Sequence, residues 1–241
     1  MMRSGNPALR ADTFTKLRSF DSTNVMTIQG TVNKTLLLLF LTISSAWWVW
    51  GNPTKFLPFW PLAAIGGFIV ALVTVFKKEW AQITAPIYAF VEGIVLGAIS
   101  ALMEQRYPGI VAQAIGLTFG VLFSLLIVYK SRLIKVTENF KLGVVAATGG
   151  ICLLYIVSMV MGFFGARIPF IHDSGPIGIG FSIFVVIIAS LNLVLDFDFI
   201  EKGSEAGAPK YMEWYGAFGL IVTLIWLYIE ILRLLAKLQR R

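Results

Sequence analysis

The sequence predicts an all-α, polytopic membrane protein, a bundle of seven transmembrane helices. Three observations carry that expectation. Of 241 residues, 57% are hydrophobic, and the mean hydropathy is +0.80. Only 14% are charged, against roughly 25% in a soluble domain. Apolar runs recur from residue 35 to the C-terminus, and each fits the ~20 residues needed to cross ~30 Å of hydrocarbon.

Residues 1–34 come first and differ from the rest. MMRSGNPALRADTFTKLRSFDSTNVMTIQG is polar and mixed in charge. It lacks the basic start and apolar core of a cleavable signal. A solvated cytoplasmic tail is expected, with a short gating or partner-binding arm as the functional alternative. The transmembrane domain is expected over 35–241. Its spans fall at 35–51, 57–76, 81–103, 109–129, 142–164, 176–200 and 211–237. Backbone groups in lipid must be satisfied within the segment, which selects helices. The alternating ten-residue segments of a barrel are absent,. Polar breaks separate the runs, such as Lys77-Lys78-Glu79 and Glu104 to Pro108. Trp47, Trp48, Trp50 and Trp60 mark an aromatic belt, and Tyr211, Trp214 and Tyr215 the start of the last span,. GIVLG (Gly93 to Gly97) and GLTFG (Gly116 to Gly120) match GxxxG and are expected to pack helices closely,.

Orientation follows from Lys and Arg, which collect in cytoplasmic loops. With seven spans the N-terminal side holds thirteen of them, from Arg3, Arg10, Lys16, Arg18 and Lys34 to Lys202 and Lys210. The other side holds seven, among them Arg167, Arg233, Lys237, Arg240 and Arg241. The N-terminus is therefore expected in the cytoplasm. A re-entrant last helix would raise the contrast to seventeen against three, and stays open as the alternative. The net charge of +7 lies mostly beside spans, where it meets anionic headgroups. The lipid bilayer is the expected partner, and no nucleic acid is.

Enzyme signals are nearly absent. No GxSxG, HExxH, CxxC pair or P-loop occurs,. One histidine, His172, and one cysteine, Cys152, leave few ways to build a zinc site,. Cys152 sits in an apolar run and is expected as a buried, inert thiol. His172 is expected as a solvated loop residue. No enzymatic activity and no cofactor are expected, although intramembrane proteolysis by paired aspartates is a catalytic option that acids in spans leave open.

Those acids are the candidate functional residues. Glu92 lies mid-way along the third span, Asp196 and Asp198 in the last turns of the sixth, and Glu230 inside the seventh. A central acid costs ~2.5–3.5 kcal/mol on insertion scales, so each should face the bundle interior, protonated or paired. Asp196 and Asp198 point about 200° apart on a helix. Asn192, one turn earlier, shares the face of Asp196. Asp196 is expected inward, with Asp198 at the rim beside Glu201 and Lys202. Glu230 and Arg233 are three apart and can pair along one helix,. Lys237 extends that face as a snorkelling basic end. Asp196 and Glu230 are expected to meet across helices. Two close carboxylates share a proton and offer hard oxygens to a weakly bound calcium ion.

At these residues the chain resembles the Bax inhibitor-1 family, and within it a bacterial branch. The resemblance rests on RSGNPAL, MTIQGTVNKT, APIYAFVEGIVLG, LNLVLDFDFIE and APKYMEWYGAFGL, from Arg3 to Leu220. LYIEILRLLAKL is similar to the family's closing helix. The resemblance implies that six helices enclose the last one, in a bacterial inner membrane. It implies a pH-sensitive leak of cations, chiefly calcium, sensed by one acid on each of the last two helices. LVLD places the first at Asp196, and LYIE places the second at Glu230, a Glu where the family has Asp. A basic latch ending the second helix falls on Lys77 and Lys78, which lack the bidentate fork of Arg. Asp198 is expected to line the cytoplasmic mouth with Glu201. Two other functions stay open. One is a proton-coupled carrier of a small solute. The other is a non-conducting regulator of membrane proteins, such as a quality-control protease.

Overall fold

The structure, a computed structural model, describes residues 24–165 and 173–240. Helix accounts for 86% of it. Among the described residues there is no strand, only a bridge pair between Val25 and Pro209. The seven long helices are α1 (Ile28–Trp50), α2 (Trp60–Phe76), α3 (Ala81–Arg106), α4 (Ile110–Lys130), α5 (Glu138–Phe163), α6 (Pro176–Glu205) and α7 (Met212–Gln239). A single turn, Pro53–Phe56, and a 3-10 turn, Leu57–Phe59, lead into α2, and another 3-10 turn, Lys78–Trp80, leads into α3. All seven are long and apolar enough to cross a membrane. Large apolar side chains such as Phe40, Phe76 and Leu153 point outward, which suits a lipid-facing surface. In α7, 61% of the apolar stretch is buried, more than in any other span. An unbroken helix of 28 residues is ~42 Å long, longer than the ~30 Å hydrocarbon layer.

Local chemistry sets the helix ends. Thr27 caps α1, its hydroxyl accepting from Gly30 N, and Thr137 caps α5 through Phe140 N. Gly109 turns the chain into α4 at φ 84°, a conformation that favours glycine. The Glu104 carboxylate accepts from Gly109 N at 2.6 Å and Val111 N at 3.1 Å, covering donors that a helix start leaves open.

The described residues form two compact units, one of residues 24–95 and 198–221, the other of 96–165, 173–197 and 222–240. In the first, α1 buries Thr31, Leu38, Thr42, Ser45 and Val49, one face at helical spacing. Gly93 of α3 meets that face so closely that an added Cβ would stand 1.8 Å from Ser45 Oγ and 2.4 Å from Thr42 O. The same unit ties the start of α1 to the start of α7. Glu213 is fully buried. It accepts from Thr27 N (2.9 Å) and Thr27 Oγ1 (2.8 Å), pairs with Lys210 at 3.1 Å and closes a short contact with Lys34. Met26 N donates to Ala208 O at 2.7 Å, and Lys210 N to Asn24 O at 3.0 Å. Glu79 and burial both push the phenol of nearby Tyr211 above its ordinary value, burial the more strongly.

In the second unit Ile151, Val185 and Ile188 form a buried cluster with Ala147, Tyr155, Phe181 and Trp226 around it. Ser100 and Tyr228 share a buried hydrogen bond of 2.6 Å.

Three expectations change. The first described long helix begins at Ile28, not near residue 35, because Thr27 caps it, Gln29 pairs with Asn33 and Lys34 pairs with Glu213. The rest of the expected tail, with Arg3, Arg10, Lys16, Arg18 and the RSGNPAL stretch, lies outside the described residues, as do Arg167, His172 and Arg241. Cys152 is exposed, because it follows the buried Ile151 and points ~100° away from it. The two GxxxG motifs also behave differently. Gly93 packs tightly, whereas Gly116 and Gly120 have nothing within 4 Å of an added Cβ and border an open apolar groove with Ser124 and Ser190. Gly93→Ala should therefore sharply lower the monodisperse fraction on size-exclusion chromatography. Gly116→Ala should leave it unchanged or raise it, since Ala favours helix by ~1 kcal/mol.

Candidate functional site

Asp196 sits in α6, nine residues before its end at Glu205. Thr223 of α7 hydrogen-bonds its carboxyl. Its Oδ2 is sealed from solvent and has no partner. Buried polar atoms are nearly always satisfied, so this oxygen is the site's most unusual feature. Asn192, one turn earlier, donates from Nδ2 to Thr148 Oγ1 of α5 and to Ile188 O, both at 2.8 Å. Its amide ties α6 to α5 beside the acid.

Glu230 is held quite differently. It is 2% exposed. Arg233 Nη1 donates to its Oε1 at 2.9 Å and its Oε2 at 3.1 Å. Tyr155 of α5 donates to Oε1 at 3.0 Å, and Arg233 also donates to the Tyr155 hydroxyl at 2.7 Å. The guanidinium lies 5.1 Å from the centre of the Tyr155 ring, close enough for a cation–π contact. Acid, base and phenol thus close a triangle that links α5 to α7. Arg233 rather than a second carboxylate neutralises Glu230.

One helical turn on, Lys237 is buried. Its Nζ donates to Gly178 O at 2.9 Å and Ser182 Oγ at 2.8 Å, both near the start of α6. The expected snorkelling end is an anchor instead, since carbonyl and hydroxyl acceptors replace water around the ammonium.

These contacts fix how α6 and α7 run past each other. Asp196 with Thr223 and Ser182 with Lys237 fit one antiparallel register. That register sets Glu230 level with Ala189, seven residues or ~10 Å from Asp196. The structure does not bring the two acids together as a proton-sharing pair. Nor do both lie in one half of the helices. Asp196 is nine residues from the C-terminal end of α6, and Glu230 nine from the C-terminal end of the antiparallel α7. Among the described residues no three His, Cys, Asp or Glu side chains gather as a metal cage.

Asp198 was expected at a wet rim and is buried, 8% exposed, with Lys202 at 2.8 Å. Two causes act. Helix α6 continues to Glu205, well past the expected end, and Lys202 lies one turn on, the spacing that pairs on a helix. Of the expected latch, Lys77 ends α2, its N–H bonded to Val73 O. The Lys78 ammonium stands 5.3 Å over the Tyr215 ring. Glu92 lies against Gly67 of α2. Sequence reasoning missed Tyr155, Thr223 and the Lys34–Glu213 contact. A phenol and a threonine inside apolar runs carry no local signal, and Lys34 with Glu213 are 179 residues apart.

A model of the Bax inhibitor 1 like family matches residues 6–240. A comparison with curated proteins finds no match.

Proposed function

The chain belongs to the Bax inhibitor 1 like family, and on that premise we propose that it forms a pH-sensitive cation leak through the membrane, with calcium as the chief ion. The observation that supports this is the unpartnered Oδ2 of Asp196. A sealed carboxyl oxygen without a donor can be satisfied in two ways, by its own proton or by a cation. Exchange between the two makes cation passage depend on pH, a local charge change that biases a larger equilibrium. Calcium prefers six to eight oxygens. Asp196 and Thr223 supply few, so the ion would be held weakly and pass on, which suits a leak. Displaced from Asp196 by ~10 Å along the axis of α6, the Glu230–Arg233–Tyr155 triangle forms a second control point, shut while the ion pair is intact.

Calcium flux into proteoliposomes, measured across roughly pH 5.5–8 where shifted carboxyls titrate, tests the proposal. Asp196→Asn is expected to flatten the pH dependence, and Glu230→Gln to raise flux by opening the triangle. The acids share no partner and stand ~10 Å apart along the axis of α6, so their effects should add. Absence of flux at every pH would sink the leak and favour a non-conducting regulator. Flux only when a pH gradient drives a solute would favour a carrier.

The proposed location is a bacterial inner membrane with the N-terminus in the cytoplasm. Cysteine labels in the 131–137 and 206–211 loops should react from the cytoplasm and a label after Gln239 from the other side. A cytoplasmic C-terminus would overturn the orientation.

A further inference from the structure

The acids of the spans differ in what holds them. Glu213 has Thr27, Lys34 and Lys210, Glu230 has Arg233 and Tyr155, and Asp198 has Lys202. Glu104 takes two backbone N–H groups. Glu92 has neither a hydrogen bond nor an ion pair among the described residues. It lies 11 residues from Ala81 and 14 from Arg106, ~16 Å and ~21 Å from the ends of α3, deep in a ~30 Å hydrocarbon layer.

Its position is built rather than loose. Gly93, the next residue, meets Thr42 and Ser45 of α1 with no space for a methyl group, which fixes the rotation of α3 at this level. Glu92 is left facing α2. There Gly67 makes room, since a Cβ at that position would stand 2.9 Å from Glu92 Oε1. The groups around it carry no counter-charge. They are the Tyr88 phenol one turn earlier on α3 and the Gly67 backbone of α2, and no charged side chain acts on the carboxyl.

We propose that Glu92 is a proton-binding site of the membrane interior, a carboxylic acid set in a glycine notch between α2 and α3. An ionised carboxyl without partner is costly in an apolar medium, and the proton is the one ligand that satisfies it where no donor is built. Losing that proton would place a bare charge against the α2–α3 contact at Gly67, so the proton and that contact are linked. The site goes beyond the leak proposed above, because it uses neither Asp196 nor Glu230 and needs no ion flux to operate.

A protonated carboxyl in lipid reacts with the hydrophobic reagent dicyclohexylcarbodiimide. The carboxyl proton passes to one carbodiimide nitrogen, and the carboxyl oxygen bonds to the central carbon. The acyl carbon then moves from oxygen to the other nitrogen, breaking C–O, forming C–N and leaving a stable N-acylurea. The purified protein in nanodiscs, treated at acid and at alkaline pH, is read by intact mass and peptide mapping. The expected result is one adduct on the Glu92 peptide, formed at least tenfold faster at acid pH, since each pH unit changes the ratio of protonated to ionised carboxyl tenfold, and lost in Glu92→Gln. A water-soluble carbodiimide should leave this peptide unlabelled. Adducts only on other carboxyls, an unlabelled folded wild type, equal labelling at both pH values, or an undiminished adduct in Glu92→Gln would each overturn the proposal. Should Glu92→Gln not fold, the wild-type map and its pH dependence decide alone. No flux enters the measurement, so its failure and the failure of the leak are separate results.

Discussion

Gly30→Ala destabilises the folded protein more than removing the Glu213 carboxylate does, and the two changes together cost less than their sum. The reason is steric and electrostatic at once. A Cβ at residue 30 would stand 2.1 Å from Glu213 Oε1, so the carboxylate must leave its donors. Breaking a buried ion pair by losing one partner costs ~3–5 kcal/mol. Glu213→Ala belongs at the lower end of that range, because Lys34 and Lys210 are 18% and 45% exposed at their side chains and can turn to water. Gly30→Ala belongs at the upper end, because it leaves Glu213 charged and displaced. In the double variant the space vacated by the carboxylate receives the new methyl group. Melting temperatures in detergent, compared with wild type, measure all three. Full additivity would show that Gly30 and Glu213 do not meet.

The second large effect lies at the triangle. Arg233→Leu leaves Glu230, 2% exposed, with only the Tyr155 hydroxyl. The expected loss is again ~3–5 kcal/mol. Adding Glu230→Leu should restore most of it, because apolar groups in place of both partners leave no buried charge. Tyr155→Phe removes two hydrogen bonds but no charge, and should cost ~1–3 kcal/mol. Thermal melts of the wild type, Arg233→Leu, Glu230→Leu and the double variant form the cycle. A double variant no more stable than Arg233→Leu would mean that the arginine acts through packing of its stem rather than through the carboxylate.

How much of this was legible in the sequence depends on the distance over which each contact acts. Seven apolar runs give seven long helices, because span length is set by the membrane and is read one segment at a time. Glu230 with Arg233 was legible for the same reason, since three residues along a helix decide it. The relation of Asp196 to Glu230 was not legible. It depends on how α6 slides along α7, which Lys237 on Ser182 and Thr223 on Asp196 decide, and nothing local announces either contact. Asp196 and Asp198 were sorted by distance from the end of an apolar run. The helix ignores that end and runs on through Lys202, which neutralises Asp198. The start of α1 was hidden likewise. Gln29, Asn33 and Lys34 read as tail; Thr27 caps the turn that carries them, Gln29 pairs with Asn33 one turn on, and the distant Glu213 takes Lys34.

That distant partner has a consequence for the order in which the protein can be made. Lys34 leaves the ribosome 179 residues ahead of Glu213, a delay of roughly 10–40 s at ordinary rates of synthesis. Throughout that interval the head of α1 has its lysine, its Thr27 hydroxyl and its bare Gly30 surface without the carboxylate they are shaped to receive. The first helix to reach the membrane is thus among the last to be finished. A nascent chain arrested before α7 would expose this unfilled notch, giving cellular quality control a marker that separates incomplete chains from complete ones.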